Sequence, residues 1–313
     1  MRDQKTLNME TEDNHIHPEI PCDWERQVPG KVYALEKAGL LLNPDINSGD
    51  VMGLEIMPNY FNNGIRSSTA DLLRDPLLNL TILTNGPVMQ ILFQNKNATR
   101  VQTEDNTYLV RKEVFLSAGT LDSPKLLMLS GVAPASELFS LGINLVHGLH
   151  FIGKGLWGHF LSLQGLNELQ NCTDQTALYS NPEVYEAARS QWLRDQTGPF
   201  SKILHTLPRA APPSSVPDWE LIVCEKEFVR SATVSGQHMA GTVNMGKPTD
   251  QEACIDSTFR VRGLQNLRVA DLSVMPIMPK SAFLAHSQVA AYLIGHCLAE
   301  KFIVEYKLNV AKL

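Results

Sequence analysis

The segment GKGLWG at residues 153–158 has the GxGxxG spacing of a dinucleotide-binding loop. In that motif the glycines form a tight turn between a strand and a helix, and the helix N-terminus holds the diphosphate. The surroundings here do not fit this chemistry, because no clear amphipathic helix follows and no acidic residue stands about 20 positions later at the end of a second strand. We therefore do not interpret this spacing as a dinucleotide loop.

Histidine is the other chemistry-bearing residue type in the chain, because its neutral ring can take up a proton near neutral pH. Several histidines stand alone or lie in the polar N-terminal tail, and they indicate neither a metal site nor a catalytic role: His15, His17, His147, His150 and His205. The chain has no HExxH segment, and its five cysteines form no CxxC pair, so we predict no metal site. His238 differs, since it lies in one of two stretches with a distinctive order of residue types.

The first stretch, FLSAGTLDSPKLLMLSGVAP, occupies residues 115–134. The second comprises GQHMAGTVNMG at 236–246 and IDSTFRVRGLQNLRVADLSVMP at 255–276, followed by a long apolar run at 284–303. Both stretches resemble signatures of the glucose–methanol–choline (GMC) family of flavin oxidoreductases. In the first stretch the matching residues are Ala118, Gly119, Ser123, Pro124, Leu126, Leu127, Ser130 and Gly131. In the second they are His238, Gly241, Thr242, Met245, Gly246, Asp256, Leu267, Arg268, Val269, Asp271, Met275 and Pro276.

The resemblance implies FAD-dependent oxidation of an alcohol group by histidine-assisted proton abstraction and hydride transfer to the flavin. His238 matches the catalytic histidine of the family and would take the hydroxyl proton. Its partner has two candidates. Counting back from the C-terminal helix gives His286, and counting forward from Met275-Pro276 gives Ala282. We favour His286, which requires a short insertion around residues 280–283.

The resemblance also implies FAD as the cofactor. Asp271, with its neighbours Ala270 and Leu272, would approach the ribityl–diphosphate portion of FAD. Val88 would lie beside the adenine through its backbone, and Gly119 would form the close turn near the diphosphate. At residues 153–159 the family pattern is Gly-x-Asn-Leu-x-Asp-His, so GKGLWGH is interpreted as a degraded family segment that lacks the usual Asn and Asp.

The fold implied is α/β: an incomplete FAD-binding (Rossmann-like) GMC domain with a reduced substrate-domain insert. We expect a polar lead-in at 1–28, an FAD-binding segment without the N-terminal GxGxxG unit at 29–160, the insert at 161–235, and a return to the FAD domain and active site at 236–313. This shortened outline leaves two alternatives open. One is a non-redox lyase, cyclase or dehydratase that uses the same histidine pair, and the other is a catalytically inactive truncated homologue.

The elements that must position these residues follow from hydrophobic patterning. The pattern predicts strands on both sides of a break at 85–87, a polar turn region from 95 to 107, and a strand over 107–119 that ends in small residues. A helix is predicted after this strand, with Ser123 as its N-cap and Pro124 at its first position. A short buried strand at 266–271 and a helix over 284–303 complete the pattern.

Composition excludes several classes of protein. The 313 residues carry a net charge of −6 and 43% hydrophobic side chains, which is typical of a globular protein and not of a nucleic-acid binder. No apolar run reaches the roughly 18 residues of a membrane span, and no signal peptide is apparent. We expect a small, specialised metabolite as the substrate. The final Ala311-Lys312-Leu313 resembles a peroxisomal address and favours an intracellular location.

Overall fold

The computed structural model describes residues 79–162, 181–201, 233–277 and 287–308, with shorter stretches at 53–56, 61–62, 64–73 and 208–210 and scattered positions between 33 and 43. The chain divides into two compact units. One unit comprises residues 1–82 and 165–222, and the other comprises residues 83–164 and 223–313. Every candidate site residue that the structure describes lies in the second unit.

The described elements are numbered in chain order. The strands are β1 (Leu54–Ile56), β2 (Phe61–Asn62), β3 (Ile65–Arg66), β4 (Val88–Gln94), β5 (Asn97–Thr103), β6 (Thr107–Leu109), β7 (Val114–Leu116), β8 (Val132–Ala133), β9 (His147–Gly148), β10 (Phe160–Ser162), β11 (Pro208–Ala210), β12 (Thr233–Ser235) and β13 (Leu267–Val269). The α-helices are α1 (Gly119–Leu129), α2 (Ala135–Ser140), α3 (Pro182–Asp195) and α4 (Ser287–Tyr306). Short 3₁₀ helices occur at Thr69–Leu73, Pro199–Ser201 and Leu272–Val274.

In the first unit, β1 pairs antiparallel with β11, and β2 pairs antiparallel with β3. Helix α3 begins at a well-formed cap, because the Asn181 side chain accepts hydrogen bonds from the backbone N–H groups of Glu183 and Val184. The helix is fastened to the β2–β3 hairpin by the indole N–H of Trp192, which donates to the carbonyl of Gly64 at 2.8 Å.

In the second unit, β4, β5 and β6 form an antiparallel sheet, and β7 pairs in parallel with β13. Strand β8 pairs in parallel with β9, and β10 pairs antiparallel with β12. All three residues of β13 are buried, which fits a parallel strand covered on both faces. The core contains side chains from β13, α1 and the loops around them, including Leu127, Val132, Ile152, Ile255, Leu267 and Val269.

Three predicted elements are confirmed: the strand after the break at 85–87 is β4, the buried strand at 266–271 is β13, and the C-terminal helix is α4. Four predictions are wrong. The single strand predicted over 107–119 is wrong, because this stretch contains two separate short strands, β6 and β7. The strand predicted before residue 85 is wrong, since residues 79–84 are exposed and form irregular backbone. The polar turn region from 95 to 107 is also wrong, because β5 occupies residues 97–103 and the chain turns only before it, at Asn95 and Lys96, and after it, at residues 104–106. Asn95 and Lys96 both have positive φ, which is the backbone twist that a tight hairpin requires.

The fourth correction concerns the start of α1, which begins at Gly119 and not at Ser123. Pro124 therefore lies inside the helix, where it has no N–H to donate to the carbonyl of Thr120. The hydroxyl of Thr242 donates to that carbonyl instead, at 2.5 Å. A contact from a distant segment thus supplies the hydrogen bond that proline removes, which is why the helix extends beyond its predicted start.

Candidate active site

The carboxylate of Asp271 joins the carboxyl ends of β7 and β13. Its Oδ2 accepts hydrogen bonds from the backbone N–H of Gly119 at 3.0 Å and from the hydroxyl of Ser123 at 2.5 Å. Its Oδ1 accepts from the N–H of Ser273 at 2.8 Å. We call these four residues the strand-end cluster. Since both carboxylate oxygens accept hydrogen bonds from the protein, the side chain of Asp271 holds the turn at Gly119 against the end of β13.

The turn at Gly119 is open. Its φ is +87°, and a Cβ atom built there would meet no heavy atom within 4 Å. The residue before it, Ala118, is exposed, and its N–H donates to the Ser123 hydroxyl at 3.1 Å. The N–H of Gly119 donates to Asp271, so a carboxylate from the segment after β13 already lies at the start of α1. The family resemblance implies a diphosphate beside Gly119, and the open side of this turn leaves room for such a neighbour.

His238 lies beside a second histidine, His159. The two Nδ1 atoms are 3.3 Å apart, the ring centroids are 5.5 Å apart, and the ring planes are nearly perpendicular at 87°. Both rings are half-buried. Sequence reasoning did not select His159 as a site residue, although it occupies the final histidine position of the family pattern at 153–159. That match is the signal that could have identified it.

Direct hydrogen bonds connect the segment at residues 236–246, which we call the His238 segment, to the carboxyl ends of β7 and β13. The Thr120 hydroxyl, in the first turn of α1, donates to the carbonyl of Met239 at 2.7 Å. The N–H of Gly241 donates to the carbonyl of Leu272 at 3.1 Å. The residue that follows His238 is therefore bonded to α1, and the chain three residues after His238 is bonded to the end of β13.

The glycines of GKGLWG have a packing role. Gly155 and Gly241 both have positive φ, at +72° and +89°. A Cβ atom on Gly241 would lie 2.6 Å from the carbonyl oxygen of Gly155, and one on Gly155 would lie 3.2 Å from that of Gly241. The two segments can approach this closely only because neither residue has a side chain. Backbone packing against Gly241 thus explains the middle glycine of the GxGxxG spacing, whereas a Cβ on Gly153 would meet the Met128 side chain and one on Gly158 would meet no atom within 4 Å.

A strained residue precedes the candidate base. Gln237 has a φ of 56°, in the left-handed region that non-glycine residues rarely adopt. Its backbone N–H donates to the Ser235 hydroxyl at 3.2 Å, which helps to hold this conformation. Strain of this kind is concentrated at functional sites, where it directs a side chain that a regular strand would point elsewhere.

The remaining predicted site residues are less closely associated. Val88 is exposed at the first position of β4, and Ala270 and Leu272 are half-buried beside Asp271. His286 and Ala282 both lie outside the described residues, as do the lead-in at 1–28 and the C-terminal tripeptide at 311–313. The choice between the two candidate partners of His238 therefore stays a prediction, and so do the roles assigned to the cofactor-binding residues.

A second charged group lies near the amino ends of the same strands. Arg268 is fully buried and bonds both carboxylate oxygens of Glu113 and, at 2.6 Å, an oxygen of Glu305. The Tyr306 hydroxyl donates to Glu113 at 2.7 Å, and Arg260 pairs with Glu305. We call these five residues the arginine cluster. It fastens the end of α4 to the β7–β13 pair.

The arginine cluster shifts the pKa values of its members. Burial raises the pKa of Glu113, but hydrogen bonds from Arg268 and Tyr306 and the charges of Arg268 and Arg260 outweigh this, and the net pKa is below its ordinary value. The hydrogen bond from Arg268 also lowers the pKa of Glu305, and the hydrogen bonds to Glu113 and Glu305 raise that of Arg268. Each acid in the cluster is thus held in its charged form.

The described residues contain neither a metal site nor a membrane span. No group of three or more His, Cys, Asp or Glu side chains is arranged to hold a metal ion within that part of the chain. None of the helices described is both long enough and apolar enough to cross a membrane.

The sequence matches a known family over most of its length. The N-terminal domain of the family described as GMC oxidoreductase matches residues 29–161, and its C-terminal domain matches residues 172–295. The chain belongs to the GMC oxidoreductase family. FAD is the cofactor of this family. The two matches include His159, Asp271 and His238, so the candidate active site lies within the regions common to GMC proteins.

Individual relatives agree with this assignment. A glucose methanol choline oxidoreductase, atC, of Aspergillus terreus is 24% identical in an alignment of 401 residues. The alignment covers 90% of this chain and 64% of atC. An oxygen-dependent choline dehydrogenase of Brucella ovis is 34% identical over 176 residues, covering 53% of this chain and 31% of that protein. The chain therefore spans less than two thirds of the length of either GMC relative.

Solved structures show the same fold. A formate oxidase of Aspergillus oryzae, studied for its FAD modification, superposes with a TM-score of 0.77 at 18% sequence identity. The superposition covers 93% of this chain and 73% of that one. The predicted α/β fold of the GMC type is thus confirmed.

Proposed function

We propose that this GMC protein binds FAD and oxidises an alcohol group of a small metabolite, with His238 as the base that takes the hydroxyl proton. The observation that carries the proposal is the bonding of three segments to one another. The turn at Gly119, the end of β13 at Asp271 and the His238 segment are connected by the hydrogen bonds from Thr120 to Met239 and from Gly119 to Asp271. The candidate base is thereby held near the candidate cofactor site.

The residues at the strand ends fit FAD. The turn at Gly119 is open on the side where a Cβ would stand, which leaves room for the diphosphate of a bound FAD close to the backbone. We assign the contacts with the ribityl–diphosphate to Gly119 and to the backbone of residues 270–272, and the contact with the adenine to the backbone of Val88. When bound, FAD supplies the two-electron acceptor that alcohol oxidation requires.

The role of His238 is proton transfer. An alcohol hydroxyl is a weak acid, and a neutral imidazole within hydrogen-bonding distance of it can accept its proton as the carbon is oxidised. General-base assistance of this kind is worth about 10²- to 10⁴-fold in rate. His286, the partner that the family resemblance favours, is proposed to hold the substrate oxygen and to share the developing charge.

The test uses the full chain purified in the presence of FAD and then freed of unbound flavin by gel filtration. We expect retained visible flavin absorbance that is bleached anaerobically by a member of a panel of small alcohols. Choline belongs in the panel because relatives are named for it. We expect His238→Ala to retain flavin and to slow bleaching by about 10²-fold or more.

His150→Ala is the matched control, since His150 is exposed and has no assigned role. It should bleach at the wild-type rate. The proposal is wrong if the wild-type chain retains no flavin, if no alcohol in the panel bleaches it, or if His238→Ala is bleached as quickly as the wild type.

A further inference from the structure

We propose that His159 is a positioning residue for His238: its Nδ1 accepts a hydrogen bond from the Nδ1–H of His238 and so leaves the Nε2 of His238 without a proton. This inference rests on the proposed function, because it concerns the atom at which His238 acts as a base. It starts from the 3.3 Å separation of the two Nδ1 atoms.

A hydrogen bond between two ring nitrogens has one donor and one acceptor. A neutral imidazole carries its proton on either Nδ1 or Nε2, and the atom without the proton is the only one that can accept another. If His238 donates from Nδ1, its Nε2 carries no proton and can accept one as a base. The neutral His159 ring then carries its own proton on Nε2. The opposite arrangement would leave His238 protonated on Nε2 and unable to act as a base there.

The backbone around the pair holds the two rings in place. The N–H groups of Trp157 and Ala240 donate to each other's carbonyls at 2.9 and 3.0 Å. The N–H of Gly236 donates to the carbonyl of His159 at 2.7 Å. Antiparallel pairing then continues into β10 and β12, where Phe160 is opposite Ser235. The histidines are thus brought together by a ladder of main-chain hydrogen bonds on both sides of the pair.

The hydrogen bond to His159 becomes stronger as the reaction proceeds. When the substrate O–H bond breaks and an N–H bond forms at Nε2 of His238, the ring becomes positively charged while its Nδ1 proton still points at His159. Hydrogen bonds from a charged donor are about twice as strong as those from a neutral one. An interaction that strengthens on the way to the transition state increases kcat and leaves substrate binding little changed.

The test compares two variants of nearly the same shape. His159→Asn can place its amide oxygen near the position of Nδ1 and keep an acceptor for His238, whereas His159→Leu has no acceptor. We expect the Leu variant to lower kcat about 10- to 100-fold with KM changed less than about threefold. The Asn variant should retain kcat within a few-fold of the wild type. A purely structural role for His159 would not predict rescue by Asn.

The second readout does not depend on turnover. Nitrogen-15 NMR of the histidine rings reports which nitrogen carries the proton, and His238→Ala assigns the signals. When both histidine rings of the wild-type protein are neutral, we expect His238 to be protonated on Nδ1 and His159 on Nε2. The Asn variant should preserve the His238 tautomer, and the Leu variant should lose it.

These results separate the two proposals. A wild-type His238 protonated mainly on Nε2, or a His238 tautomer unchanged by His159→Leu, overturns the inference about His159 whether or not the chain turns over. The wild-type spectrum alone decides this if the Leu variant does not fold. The two proposals can also fail separately. If the spectra show the expected tautomers but no alcohol bleaches the flavin, the inference about His159 is supported and the proposed function is refuted.

Discussion

The strand-end cluster and the arginine cluster lie on the same pair of parallel strands, β7 and β13, but they differ in burial and in bonding. In the arginine cluster, Arg268 is 0% exposed and the Glu113 side chain is 2% exposed, so two full charges neutralise each other away from water. In the strand-end cluster one carboxylate, Asp271, is held by two N–H groups and one hydroxyl. Beside it, the position of a Cβ on Gly119 is open.

This difference indicates that the arginine cluster stabilises the fold and that the strand-end cluster is where a ligand can bind. A buried ion pair costs desolvation energy, and removing one partner leaves the other charge without compensation. The arginine cluster is therefore closed to ligands and has a structural consequence when it is broken. The strand-end cluster satisfies its carboxylate within the protein and leaves the turn at Gly119 open on the side where a Cβ would stand. It is the end of the strand pair at which a ligand can be accommodated.

The largest expected effect is a loss of stability when the arginine cluster is broken. Arg268→Met leaves Glu113 buried without its main cation, and we expect a loss of about 3–5 kcal/mol in the free energy of unfolding. Arg260→Met is the matched control. Since the Arg260 side chain is 36% exposed, its loss should cost less than about 1 kcal/mol. Urea unfolding of the two variants measures both values, and equal losses would contradict the comparison.

The next largest effect is expected when the strand-end cluster loses the charge of Asp271. Asp271→Asn removes an anionic acceptor and turns an amide N–H toward the donors of the strand-end cluster, so we expect a loss of about 1.5–3 kcal/mol. The variant should also retain less FAD after gel filtration, because the turn at Gly119 loses its anchor. Ser123→Ala removes one donor to Asp271 and the acceptor of the Ala118 N–H, keeps the Asp271 charge, and should cost about 1–2 kcal/mol. Full FAD retention by Asp271→Asn would show that this carboxylate does not position the cofactor site.

Acid should reduce the stability that the arginine cluster contributes, because Glu113 becomes protonated. Because the folded pKa of this acid lies below its ordinary value, its contribution to stability is complete above that value and is lost as the pH falls through the folded pKa. The charged groups facing it are Arg268 and Arg260, with Glu305 and Tyr306 beside them. We expect Glu113→Gln to reduce the slope of unfolding free energy against pH between about pH 5 and 3. An unchanged slope would remove Glu113 from the acid response.

The smallest effect is a difference in chemical labelling. Burial raises the pKa of the Cys254 thiol to about 12, so in the folded chain it should resist alkylation at neutral pH. Cys297 is exposed and serves as the internal control. Because Cys254 lies in the loop whose Thr258 carbonyl accepts from Arg268, we expect Arg268→Met to speed labelling of Cys254 and Asp271→Asn to speed it less. Peptide mass mapping distinguishes the two thiols, and fast labelling of Cys254 in the wild type would contradict its burial.

Parts of this arrangement were predictable from the sequence because their signals are local. The apolar run at 266–271 is short and bounded, and it forms β13. The run at 284–303 has the length of a helix, and it forms α4. The family signatures brought together the regions of Gly119, Asp271 and His238, and in the structure these regions are bonded to one another.

Other parts depend on distant partners that no local pattern contains. Ser123 followed by Pro124 has the appearance of a helix start. However, the Ser123 hydroxyl is taken by Asp271, 148 residues away in the chain, and the Thr120 carbonyl that Pro124 cannot satisfy is satisfied by Thr242. His159 and His238 meet through the register of two segments 79 residues apart. Sequence spacing alone cannot supply such a register.

The sequence separation across the strand ends has a consequence for folding and for variation within the family. The Ser117 hydroxyl donates to the carbonyl of Ala270 across 153 residues, and residues 165–222, between them in the chain, belong to the other unit. The entropy of closing a loop rises only with the logarithm of its length, so doubling such an excursion costs about 0.6 kcal/mol. The intervening segment can therefore lengthen or shorten at almost no thermodynamic cost, whereas pairing of β7 with β13 must await a long-range encounter and should be among the slow steps of folding.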